Sequence, residues 1–154
     1  MRTHAALYAQ DFYAWTQAQA ALLEGRQFDA LDLPHLVEEI TSLGKSEQRQ
    51  LYDRLIVLLT HLLKLHLAAQ TLPQDLERAG RGWRTTARTQ RLRVQKVLRE
   101  NPSLTPTVPD ELADAYAVAR LEAAGDLALD EAVLPQTCPW TPEQVLGEAF
   151  WPDV

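Results

Sequence analysis

The chain has 154 residues, 46% of them hydrophobic and 23% charged, which is the size and composition of one globular domain and excludes the apolar-poor mixtures that stay disordered. A formal charge of −6 speaks against nucleic acid as an obligatory partner, and the lone Cys138 excludes an internal disulfide. The most apolar stretch, 51–72, is interrupted by Asp53, Arg54, His61, Lys64 and His66, whereas a membrane span needs about 20 consecutive apolar residues.

In chain order, the first periodic segment spans Ala5 to Glu24, with Phe12, Trp15 and Leu22 at helical spacing and Gly25 as its stop. Phe28 to Leu31 form a connector. Asp32-Leu33-Pro34 reads as an N-cap with proline in the first turn, which sets Glu38 and Glu39 near the favourable end of the helix dipole. Leu36, Ile40 and Leu43 lead into Leu51, Leu55, Leu58, Leu62 and Leu65, so one seam is expected along a single helix from Leu33 to about Thr71, with a kink allowed at 44–46. A second stripe, Ile56, Leu59, Leu63 and Leu67, predicts that this helix lies at the centre of a bundle.

Leu72-Pro73 ends the long helix, and Gly80 with Gly82 predicts a turn before the next one, Trp83 to Glu100. Trp83, Ala87, Val94, Val97 and Leu98 form its inner side, and Arg81, Arg84, Arg88 and Arg99 fall opposite. Asn101-Pro102 stops it. Pro106 and Pro109 bracket a connector to a helix from Asp110 to Ala124, with Leu112, Tyr116 and Ala119 inward and Gly125 as its stop. The irregular tail that follows contains Thr141-Pro142-Glu143-Gln144, a capping box opening a short helix that ends near Phe150-Trp151-Pro152, aromatics expected to dock on the bundle. No period-two segment suggests a strand. The expected fold is all-α, a helical bundle around one long central helix within a single domain over 1–154. With no secretory leader pattern, the expected setting is cytoplasmic and without membrane contact.

Several stretches together resemble a known family. They are Asp11-Phe12-Tyr13-Ala14-Trp15, Leu31-Asp32-Leu33 with Glu38-Glu39-Ile40 and Ser42-Leu43-Gly44, and His61-Leu62-Leu63-Lys64. Further along come Trp83 with Gln90-Arg91, Asn101-Pro102-Ser103-Leu104, and Cys138-Pro139-Trp140-Thr141 closing on Phe150-Trp151-Pro152. The chain is similar, over nearly its full length, to the bacterial proteins grouped as domain of unknown function 29. That resemblance implies an all-helical fold and a bacterial cytosolic setting, and brings no activity, cofactor or catalytic residue with it.

Read for chemistry, His35 with Glu38 and Glu39 could share a helix face and offer imidazole and carboxylate to a metal, with His61, or His61 and His66, completing the shell. The Glu-x-x-His order of di-iron bundles is missing, however, and first-turn acids serve the dipole just as well. Adjacent Glu38 and Glu39 point about 100° apart and cannot straddle one bond, so ion pairs with Arg91 or Lys64 are the expected use. Cys138 has neither a base nor a cation beside it in sequence, which suits a buried tail thiol better than a nucleophile. Phosphate loops, serine elbows and zinc spacings are absent from the sequence, and no cofactor is called for.

Between Arg78 and Arg99 stand eight basic residues and no acid, leaving seven basic against 21 acidic residues elsewhere. Arg81, Arg84, Arg88, Arg93, Lys96 and Arg99 form a candidate interaction face, unless they are merely solvated or pair with the chain's own acids. Gln90 projects into the middle of that helix's apolar side, which predicts a buried polar cluster of Gln90, Arg91 and His61 that fixes helix register. The reading that follows is a non-enzymatic protein-interaction or regulatory module, engaging a protein partner or a second copy of itself. The alternatives are a nucleic-acid-associated protein using the basic face, and a metal-dependent enzyme centred on His35, Glu38 and His61.

Overall fold

The computed structural model describes residues 3–153. Among them the chain is all-α, a helical bundle around one long central helix, with six α-helices: α1 (His4–Gln10), α2 (Phe12–Glu24), α3 (Leu33–Thr71), α4 (Pro73–Glu100), α5 (Val108–Asp126) and α6 (Pro142–Leu146). Short 3-10 turns stand at Phe28–Ala30, Pro102–Thr107 and Glu131–Val133. No helix of the described residues is long and apolar enough to cross a membrane. The chain divides into two compact units, one up to Ser46 and one from Glu47, with the boundary inside α3.

In the first unit, the segment expected as one helix from Ala5 is two. Asp11 breaks it: its amide donates to the Leu7 carbonyl and closes α1, while its carboxylate accepts from the Ala14 amide and opens α2. The aromatic periodicity runs through the break, which is why spacing alone hides it. At the end of α2 the left-handed residue is Arg26 (φ 54°), one position past the glycine expected to supply it. Among its described residues this unit buries only Trp15 and Gln19.

The second unit holds the core. Leu51, Leu55, Leu58, Leu59, Leu62, Leu63 and Leu67 of α3 pack with Ala87, Val94 and Val97 of α4, with Leu112, Ala115, Tyr116 and Ala119 of α5, and with Leu134 and Val145 of the tail. Both expected stripes of α3 are therefore buried from Leu51 onward, apart from half-buried Ile56. The expected continuation of the seam toward the N-terminus is not, because Ile40 and Leu43 face solvent. Gly44 stays within the helix.

α4 runs unbroken through the glycines expected to form a turn. Gly80 is buried, and a Cβ there would stand 3.0 Å from Leu76 Cδ1 and 3.8 Å from Leu65 Cδ2, so its lack of a side chain serves close packing. Gly82 has open space around it. Pro73 occupies the first turn of α4, where its missing N–H costs nothing. α5 likewise outruns its expected stop: Gly125 is helical, and Ala128 (φ 55°) makes the left-handed turn beyond. The Thr141–Gln144 capping box forms as expected, although α6 ends at Leu146, short of Phe150.

Candidate functional site

In the first unit, polar groups converge around Asp32. Its carboxylate accepts from Trp15 Nε1 (3.0 Å) and His35 Nδ1 (2.7 Å), while its own amide donates to Gln19 Oε1 (2.8 Å). Gln19 Nε2 completes its bonding on His4 Nδ1 (3.2 Å), so the buried amide is satisfied at both ends. Burial pushes the Asp32 carboxyl up, but the hydrogen bonds from His35 and Trp15 outweigh it and leave the group below its ordinary value. Tyr8 stacks on the His35 ring (3.9 Å, 19°) and donates its hydroxyl to Glu39 (2.5 Å), and this bond to a carboxylate pushes the phenol up to about 12. The network ties α1 and α2 to the start of α3. It contains an Asp–His pair, and among the described residues no serine, cysteine or threonine hydrogen-bonds to that histidine.

The same unit exposes much of its apolar surface. Leu33, Val37, Ile40 and Leu43 on α3 are 56%, 61%, 66% and 68% exposed, and Phe12, Tyr13, Leu23 and Phe28 are also exposed. Among the described residues, eight of the eleven exposed large hydrophobic residues thus fall in the unit with the smaller share of the chain.

In the second unit, the basic residues of α4 meet different fates. Arg91 is buried, donating Nε to the Val145 carbonyl (2.9 Å) and Nη2 to the Phe150 carbonyl (2.8 Å), with its guanidinium 4.7 Å from the Trp151 ring. Arg84 lies over the same ring at 4.9 Å and pairs with the buried carboxylate of Asp153. Arg78 pairs with Asp75, and Lys96 with Glu100. Among the described residues Arg81, Arg88, Arg93 and Arg99 have no ion-pair partner and are exposed. Of the six residues on the expected face, two are therefore paired within the chain. Arg81, Arg84, Thr85 and Arg88 line a cleft of about 380 Å³ closed by Glu148 and Trp151 of the tail.

The expected cluster of Gln90, Arg91 and His61 has no hydrogen bond among its members. Arg91 turns to the tail carbonyls, His61 Nδ1 donates to the Val57 carbonyl of its own helix (2.8 Å), and buried Gln90 Oε1 has no protein partner. Burial holds His61 below its ordinary pKa, so it is neutral at pH 7. The ion pairs expected for Glu38 and Glu39 also go elsewhere: Lys64 takes Asp126 (3.1 Å) and lies over Trp83, while Glu39 takes the Tyr8 hydroxyl. Among the described residues no three His, Cys, Asp or Glu side chains converge as a metal site, and Asp32 already occupies one nitrogen of His35. Half-buried Cys138 is pushed up in pKa by burial, which keeps it a thiol at pH 7. Sequence reasoning missed the joint role of Tyr8, Trp15 and Asp32, for which the only local sign was the i, i+3 spacing of Asp32 and His35.

The family profile described as Domain of unknown function DUF29 matches residues 7–151. The chain belongs to the DUF29 family. The match extends from within α1 to Trp151, so the Asp32 network apart from His4, and the Arg91 tether of the tail, lie inside it. No curated protein and no solved structure matches the chain.

Proposed function

We propose that this DUF29 chain is a non-enzymatic protein-interaction module that pairs with a second copy of itself through the N-terminal half of α3. The observation that supports this reading is the exposed row Leu33, Val37, Ile40 and Leu43. Steps of four, three and three keep these side chains within about 120° of one another around a helix, and contiguous apolar patches beyond a few hundred Å² mark interaction sites. At on the order of 100 Å² of exposed surface each, the four residues would remove roughly 800 Å² from water in a symmetric pair, close to the ~1,000 Å² that a specific interface needs. A two-fold interface requires only one such face per chain. A unit that buries, among its described residues, only Trp15 and Gln19 also has little core of its own, and a partner would supply one.

Up to Ser46 the sequence carries three basic and six acidic residues. Two copies meeting there repel, and salt screens that repulsion. Light scattering behind size exclusion should therefore find a dimer that strengthens as salt rises, while Val37→Glu with Ile40→Glu should give a monomer of unchanged helix content. A monomeric parent chain at about 100 μM would overturn the proposal. Association that weakens with salt would instead point to a basic partner surface.

A further inference from the structure

We propose that the cleft between α4 and the C-terminal segment binds a small phosphomonoester, with Arg81, Arg84 and Arg88 receiving the phosphate and Glu148 accepting from a hydroxyl or amine on the rest of the ligand. The proposal is independent of the self-association argued above, since every residue involved lies in the other unit. Arg81, Arg84 and Arg88 stand three and four positions apart on α4 and share one side of it. All three line one cleft of about 380 Å³, a size within the range of small-molecule sites.

Two of the three, Arg81 and Arg88, have no carboxylate partner among the described residues. Their forked donors suit the oxygens of a phosphate better than those of a single carbonyl. The third, Arg84, is held in place by Asp153 and by the Trp151 ring, so it is pre-positioned before any ligand arrives.

The wall around Trp151 also retains unused hydrogen-bonding capacity. Among the described residues Arg91 Nη1 and Asp153 Oδ1 are buried without a protein partner, and both belong to side chains engaged with Trp151 or with its neighbour Arg84. Neither residue lines the cleft itself, and buried polar atoms left unpaired call for water. A second recess of about 130 Å³, lined by Arg88, Leu92 and Glu148, shares two residues with the first and gives a ligand larger than phosphate somewhere to extend. The ligand class follows from charge. From Glu47 onward the chain carries 12 basic and 15 acidic residues, and exposed Glu148 interrupts the basic surface at the cleft. A long polyanion would meet that acid, whereas a compact phosphate need not.

Titration of the full chain with ribose 5-phosphate, ribose and inorganic phosphate, followed by tryptophan fluorescence and calorimetry, tests the site. Ribose 5-phosphate should saturate one site below about 1 mM, inorganic phosphate should bind more weakly at the same site, and ribose should not bind. Arg81→Gln with Arg88→Gln should weaken binding by at least roughly tenfold with no change in Tm. Arg93→Gln with Lys96→Gln, basic residues outside the cleft, should leave binding unchanged. The proposal fails if ribose 5-phosphate does not saturate by about 10 mM, if ribose binds equally well, or if both double variants weaken binding alike, which would reduce the effect to diffuse attraction. A single-stranded oligonucleotide that binds the parent chain more tightly than ribose 5-phosphate, and loses that binding in the first variant, would overturn it in favour of a nucleic-acid surface.

Discussion

Arg91 shows how much a single side chain can organise. It sits among the apolar residues of α4, where a charge is expensive to bury, and burial lowers its pKa. It remains because two carbonyls of the tail, those of Val145 and Phe150, accept from it. Tyr116 and Arg120 of α5 add bonds to the carbonyls of Pro135 and Leu134, so the irregular tail is held by side chains that reach its backbone. Replacing Arg91 by Met should lower stability by about 2–4 kcal/mol, since both carbonyls lose their donor. Arg91→Lys should also destabilise, because an ammonium cannot offer the same fork. Urea unfolding checks both, and the account is wrong if Arg91→Met is as stable as the parent. That Arg91 would be buried was legible from its place on the apolar side of the helix. Its partners were not, because they are backbone atoms some 54 and 59 residues away that carry no residue-specific sign.

At the scale of elements, two nearby glycines in α4 have opposite roles. Gly82 is exposed with nothing near its absent Cβ, so Gly82→Ala should stabilise by about 0.5–1 kcal/mol through helix propensity alone. Gly80 packs against Leu76 and Leu65, so Gly80→Val should destabilise by about 1–3 kcal/mol through overpacking. Thermal melts of the two variants should move in opposite directions, and equal shifts would refute the packing role. In sequence the pair reads as a turn, because glycine spacing cannot separate a flexible site from a close contact. Helix ends show the same limit: Asp11 caps α2 in the middle of a continuous apolar pattern, whereas the proline-led start of α4 and the Thr141 capping box are strong enough signals to be read directly.

For the whole molecule, acid should act on the two units in sequence. His61, in the second unit, has its pKa lowered by burial, so it contributes stability above pH 6.5 that is lost as pH falls through its lowered value. Asp32, in the first, has a depressed pKa, so its contribution is present above pH 3.8 and is lost as pH falls below that. Residue-level hydrogen exchange during acidification should therefore show α3 loosening around His61 before the Asp32 network opens. The reverse order would mean that these groups do not control the response.

The sequence by itself determined the helical class, the length of the central helix and the leucines of its core half, because amphipathic periodicity is a local property that any packed helix must obey. The tertiary structure alone decided that the seam ends near Leu51, that Gly80 is a contact, that Arg91 serves the tail, and that three arginines share one cleft with Glu148 and Trp151. Those outcomes depend on groups far apart in the chain, and periodicity says which side of a helix is apolar without saying what, if anything, covers it.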